Sequence, residues 1–264
     1  MTGAELREAM RSGKSVYGTM VTLVQGSRWG AIFGRLGFDY IIIDTEHSPY
    51  GRGEVADLAA TFRGVGVAPI VRIPYPDPYQ ARMAVDAGAH GVLAPYLERP
   101  EEARQVVAAA RYRPLKGALL EQAGNAGSFA GDTQGYLEDF NKNHVVIIGI
   151  ESVPAIERLD EILAVPGIDA AFIGPHDLTI SLGIPEQYDH PRFQEAVRRI
   201  IETSQVRGIP AGGHWFQVEQ VRRWQAAGSR FILYNSDGGA LAQGYRRDLE
   251  AIRGTAGEAM RHTI

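Results

Sequence analysis

A chain of 264 residues, 45% apolar and 22% charged, has ordinary globular composition and is long enough for one complete α/β barrel. The formal net charge of −4 leaves no basic footprint for nucleic acid or an anionic membrane, and the lack of cysteine excludes disulfides, thiolate nucleophiles and zinc–thiolate sites. No run approaches the roughly 20 apolar residues of a membrane span, and the polar start MTGAELREAMRSGK does not read as a signal peptide, so a cytoplasmic protein is expected.

A helix over about residues 4–12 leads the chain. One layout then recurs: a Gly, a few residues, and a short run of β-formers. It appears in GKSVYGTM, GFDYIIID, GVAPIVRI, GAHGVLAP, GIDAAFIG, GIPAGGH and GSRFILY, whose glycines are Gly13, Gly37, Gly66, Gly88, Gly167, Gly208 and Gly228. An eighth unit, NHVVIIGIE, carries Asn143 in the glycine's place. Each unit reads as a helix ending on a left-handed residue and running straight into a strand. Helical spacing fills the intervals at Gln80 to Ala87, Pro100 to Arg111, Pro154 to Ala164, Pro191 to Arg207 and Gln217 to Ala227, with Pro100, Pro154 and Pro191 at first-turn positions.

Eight strands, each followed by a helix, predict a single (β/α)8 TIM barrel spanning 1–264. The first helix would cap its bottom, and the tail from about 254 to 264 is expected to be flexible. An open doubly wound sheet is the alternative, disfavoured because no Gly-rich dinucleotide loop is present. Two connections are long: YRPLKGALLEQAGNAGSFAGDTQGY before the fifth strand and PHDLTISLGIPEQYDHP after the sixth. Both are expected on the strand-to-helix side, where barrel active sites form.

The polar residues fall at strand ends. The second strand ends in Asp44, Glu46 and His47, the third in Arg72, the fifth in Glu151; the sixth delivers Asp177 and the seventh His214. All would enter one mouth. Glu151 and Asp177 read as a carboxylate pair for a hard divalent cation, or else as an ion-pair member and a helix cap. Arg72 is a fixed cation for a carboxylate or oxyanion, or a structural bridge to Asp44 or Glu46. His47 can carry a proton near neutral pH. Asp86 alone reads as an exposed helical acid. His176 and His214 are candidates to line the mouth, while His90, His144, His190 and His262 read as structural or exposed. NSDGG after the last strand reads as a phosphate cradle or as a cap by Ser236 or Asp237. Lys14, Lys116 and Lys142 end no predicted strand, which disfavours Schiff-base chemistry.

With FDYIIIDTEHSP, PIVRIPYPDPYQARMAVDAGAHGVLAPYLERPEEA, IGIESVPAIERLDEILAVPGIDAAFIGPHDLTISLG and HPRFQEAV in this order, the sequence from about residue 5 to 250 resembles the HpcH/HpaI group of metal-dependent class II pyruvate aldolases. The resemblance implies reversible cleavage of a 4-hydroxy-2-oxo acid to pyruvate and an aldehyde through a pyruvate enolate held on Mg²⁺ or Mn²⁺, with Co²⁺ or Zn²⁺ as substitutes. It implies Glu151 and Asp177 as metal ligands, Arg72 at the ketone or enolate oxygen, His47 as acid–base residue, and Asp86 orienting it across a subunit interface. Asp44 and Glu46 would support these groups, and Gly174, Pro175, His176 and Asp177 would cradle the pyruvate carboxylate. A swapped last helix, dimers and a homohexamer are implied as well. Gly149, Lys116 and Met20 depart from residues common in the family, so the aldehyde stays open; Gly149 suggests room for a larger substrate. The same enolate would serve an oxaloacetate decarboxylase, and a noncatalytic barrel binding a small acid is the remaining alternative.

Overall fold

Eight parallel strands close in sequence order: β1 (Val16–Val21), β2 (Tyr40–Asp44), β3 (Ala68–Arg72), β4 (Gly91–Ala94), β5 (Val145–Gly149), β6 (Ala170–Ile173), β7 (Ala211–Trp215) and β8 (Phe231–Ser236), which pairs back onto β1. They come from a computed structural model, which describes residues 1–254; the tail expected to be flexible lies outside them beyond Gly254. The seven glycines that open the repeated units all have positive φ, as the helix-to-strand reading requires. Asn143 does not join them. Its side-chain oxygen instead accepts a hydrogen bond from the Ala4 N–H at 3.2 Å, tying the connection to the first helix, Gly3–Arg11.

Alternation along the strands explains the apolar runs. In β2, Tyr40 and Ile42 face the barrel interior, whereas Ile41 and Ile43 join the layer between strands and helices. The register pairs Tyr40 with Ala68, Ile42 with Ile70 and Asp44 with Arg72, so the inward column climbs from aromatic through aliphatic to charged. Tyr40 stacks on Phe231 with ring centroids 4.6 Å apart, and a Cβ on Gly18 would collide with the Tyr40 ring. Leu6 and Met10 of the first helix complete the interior cluster from below, so the capping helix stands where the sequence places it. A reciprocal cap between Thr2 and Glu5 starts that helix.

The long segment 112–144 differs from expectation. It follows the helix Pro100–Arg111 and feeds β5, so it connects helix to strand and lies at the end of the barrel opposite the mouth. Its helices Gly117–Ala126 and Thr133–Phe140 pack with Tyr112 and Ala108 in a small cluster of their own. The segment 154–164 is also not one helix but two short ones, Val153–Glu157 and Leu159–Leu163, broken at Arg158.

At the same lower end, Asp169 is buried, accepts the Val146 N–H at 2.8 Å, and pairs with Arg111 and, at 3.4 Å, with Arg7. Removing the carboxylate strands two largely buried guanidinium groups. Asp169→Ala should therefore lower unfolding free energy by about 3 kcal/mol, read from urea midpoints; a loss within experimental error would disprove that role.

Candidate active site

Period-two alternation carries the interior columns up to the mouth. Above Val145 and Ile147 the fifth column continues to Gly149 and Glu151; above Ala170 and Phe172 the sixth reaches Gly174. His214 and Asn235 end the seventh and eighth columns, and Met20 the first. A polar layer therefore sits on the aliphatic one, as the strand-end reading of the sequence anticipates.

Arg72 is the hub of this layer. Its Nε donates to Asp44 Oδ1 at 2.8 Å, its Nη1 lies 3.0 Å from Glu46 Oε2, and its Nη2 lies 3.6 Å from the Met20 sulfur. The structural bridge that the sequence allows for Arg72 is present, to Asp44 and Glu46, and the residue stands in the mouth. Asp44 is only 1% exposed. Burial pushes its carboxyl up, but the Arg72 hydrogen bond and charge, the Glu46 N–H and His47 together hold it below the ordinary carboxylate range. Burial raises Glu46, against the pull of Arg72 and His47. Thr45 locks the turn, donating through both its N–H and its hydroxyl to the Arg72 carbonyl, at 3.0 and 2.6 Å. His47 lies just beyond, with Nε2 3.7 Å from Glu46 Oε2 and its side chain 54% exposed.

Glu151 is 2% exposed, and among the described residues its Oε1 has no hydrogen-bond partner. Burial, then the neighbouring charge of Asp177, lift its carboxyl to about 8, against the opposing pull of Arg72 and the Tyr96 N–H. Two glycines flank it. A Cβ on Gly174 would stand 2.6 Å from Glu151 Oε2, and one on Gly149 would overlap Oε1. The space that Gly149 suggests for a larger substrate is thus already filled, by the Glu151 carboxyl group. Asp177 lies in the first turn of the helix Pro175–Ser181, whose start at Gly174 faces the same carboxylate. Among the described residues no group of three or more His, Cys, Asp or Glu side chains forms a metal cage. Two carboxylates, one with an unsatisfied buried oxygen, fit a hard cation whose remaining positions go to water and substrate oxygens.

The HpcH/HpaI aldolase/citrate lyase family matches residues 28–244, the greater part of the chain. The chain belongs to that family. Among its relatives is the 5-keto-4-deoxy-D-glucarate aldolase of Shigella dysenteriae serotype 1, 32% identical over 212 residues that make up 80% of this chain and 82% of the relative. Two solved structures share the fold at a TM-score of 0.82 each. One is an HpcH/HpaI aldolase/citrate lyase family protein from Burkholderia cenocepacia J2315, 28% identical and covering 95% of this chain and 99% of its own. The other is the HpcH/HpaI aldolase from Desulfitobacterium hafniense DCB-2, 29% identical, covering 97% and 99%. This HpcH/HpaI chain is accordingly an enzyme, a carbon–carbon lyase of the aldolase kind.

The remaining candidates separate. His214 donates from Nε2 to the Asn235 carbonyl at 2.9 Å, and burial pushes it down to about 4, so the ring is neutral and fixed in one tautomer. His176 is half-buried beside Asp177. Asp86 does not reach the mouth of its own barrel: it ends the helix Pro78–Asp86 and pairs with Arg113. Lys116 sits in the lower segment 112–144, away from the mouth of its own barrel, and Met20 lies within β1. NSDGG is a cap. Ser236 accepts from the Gly239 N–H, while Asp237 accepts from the N–H groups of Thr22, Leu23 and Val24, so the chain's own carboxylate fills that anion site. Tyr96 has a left-handed backbone that no local sequence pattern announces. No helix among the described residues is long and apolar enough to cross a membrane.

Proposed function

We propose that this enzyme catalyses the divalent-metal-dependent, reversible cleavage of a 4-hydroxy-2-oxo acid to pyruvate and an aldehyde. The observation that carries this reading is the buried, incompletely satisfied Glu151 carboxylate beside Asp177, with the charge of Arg72 acting on it. Glu151 and Asp177 would hold Mg²⁺ or Mn²⁺, with Co²⁺ or Zn²⁺ as substitutes; once bound, the cation supplies Lewis-acid polarisation of the 2-oxo group. Arg72, clamped by Asp44 and Glu46, presents a preorganised positive charge to the oxygen on which the enolate charge develops. The N–H groups of Gly174, His176 and Asp177 receive the pyruvate carboxylate; Pro175 donates none. His47 moves the proton of the C4 hydroxyl, and His214, neutral and fixed, contacts substrate from the opposite wall.

The substrate class proposed is a deoxy keto sugar acid, following the glucarate-derived compound named in the Shigella relative. The same proposal takes the chain as one cytoplasmic domain assembled in dimers and then a hexamer. The helix Asp237–Arg253 supports assembly: none of its residues is buried, and Leu241, Tyr245, Leu249 and Ile252 leave one apolar stripe exposed. In such an assembly Asp86 would orient the His47 of a neighbouring copy.

Incubating the enzyme with pyruvate in D₂O, with Mn²⁺ and again with EDTA, tests the enolate directly. Metal-dependent loss of methyl protons is expected; no exchange with any divalent ion would sink the reading. His47→Ala should lower turnover by about 10²–10³-fold while leaving Mn²⁺ binding intact. An equally fast His47→Ala enzyme would remove His47 from its role.

A further inference from the structure

Tyr96 is one of three described non-glycine residues with positive φ, at 51°, and the only aromatic one. A bulky side chain in that region costs on the order of 1–3 kcal/mol and persists where the surroundings impose it. The surroundings here belong to the catalytic layer. The Leu97 N–H donates to the Gly149 carbonyl at 3.2 Å. The position of a Cβ on Gly149 lies 3.0 Å from both the Pro95 Cα and the Tyr96 nitrogen, so this backbone packs directly on the glycine. The next residue but one, Glu98, accepts from the Ser152 hydroxyl at 2.7 Å, which anchors the loop to the start of the helix after β5.

What this strained turn displays is a phenol. The residue is 43% exposed and belongs to no core cluster, so packing does not explain it. It leaves β4 at the rim of the mouth, one residue beyond Pro95. The carboxylates of Glu98, Asp177 and Glu151 lie near enough to act on its hydroxyl, and a phenol is an ordinary hydrogen-bond donor at neutral pH. Arg72 and the cation site lie on the pyruvate side of the mouth, which leaves the rim for the other half of the substrate.

We propose that Tyr96 is a specificity-determining residue that selects hydroxylated aldehydes, its phenol donating a hydrogen bond to a hydroxyl of the aldehyde chain. This inference rests on the aldolase reading above. A site that hydrogen-bonds a substrate hydroxyl discriminates against the analogue lacking it.

The test compares aldol addition of pyruvate to glyceraldehyde and to propionaldehyde, which have the same carbon count and differ in hydroxyls, with Mn²⁺ present. The readout is the ratio of the two kcat/KM values. Tyr96→Phe removes only the hydroxyl and should lower the ratio about ten-fold, chiefly through a higher KM for glyceraldehyde. Tyr96→Gly relieves the left-handed backbone, should not lower the melting temperature, and should shift the ratio in the same direction. A merely structural tyrosine would change both substrates alike and leave the ratio in place. If wild-type enzyme adds both aldehydes and neither variant moves the ratio, the inference is wrong and the aldolase reading stands. If wild-type enzyme adds neither aldehyde, that reading fails and the inference falls with it.

Discussion

Glu151→Gln is expected to raise the melting temperature in divalent-free buffer at pH 8, and to abolish both catalysis and the stabilisation expected from Mn²⁺ in the wild type. The sign follows from burial. The carboxyl rises from the ordinary 4.5 to about 8 in the folded protein. Below pH 4.5 both folded and unfolded chains keep the proton and Glu151 costs nothing. As pH climbs towards 8 the unfolded chain ionises first, so the metal-free enzyme loses stability, on the order of a few kcal/mol, until the folded carboxyl ionises as well. Glutamine has nearly the same shape and no charge to desolvate. A bound cation reverses the balance, because it takes up the ionised form and binds the native state alone, contributing about 2.7 kcal/mol at a hundredfold excess over Kd. Thermal melts at pH 6 and pH 8, each with EDTA and with Mn²⁺, separate these effects. A Gln variant that still shifts with Mn²⁺ would mean that the ion sits elsewhere.

Arg72→Lys is the second substitution with a large expected effect. One ammonium cannot reproduce a fork that reaches Asp44 Oδ1 at 2.8 Å and Glu46 at 3.0 Å from different nitrogens. Asp44 would then keep a buried charge with a poorer partner, at a cost of about 2 kcal/mol in urea unfolding. Turnover should fall about 10²–10³-fold, in kcat more than in KM, because the lost interaction is strongest when charge has moved onto the oxygen. A lysine variant within tenfold of wild-type turnover would place the enolate charge against some other group.

Much of this architecture can be read from residue order. Seven glycines before β-rich runs define the strand starts, and period-two alternation explains why Asp44, Arg72 and Glu151 face inward once Ile42, Ile70 and Ile147 are assigned to the interior. What the residues do not reveal depends on through-space neighbours. Segment 112–144 carries the same small-residue, Gly-rich composition whichever end of the barrel it occupies. Gly149 reads as empty space until the Glu151 carboxyl is found in it. Asn143 satisfies the left-handed template by residue type, but a long-range bond to the Ala4 N–H holds it elsewhere in φ. The left-handed turn at Tyr96 is likewise a product of packing on β5, not of the local sequence.

Asp237 has a mechanical consequence. Its two carboxylate oxygens take the Thr22 N–H and hydroxyl and the N–H groups of Leu23 and Val24, at 2.7–3.0 Å, while the residue itself opens the helix Asp237–Arg253. The clip ties the loop after β1 to the start of that helix, just above the pairing of β1 with β8. The loop it grips continues directly from β1, and hence from Met20 against Arg72. A load applied to the exposed helix is therefore passed on to the strand that backs Arg72.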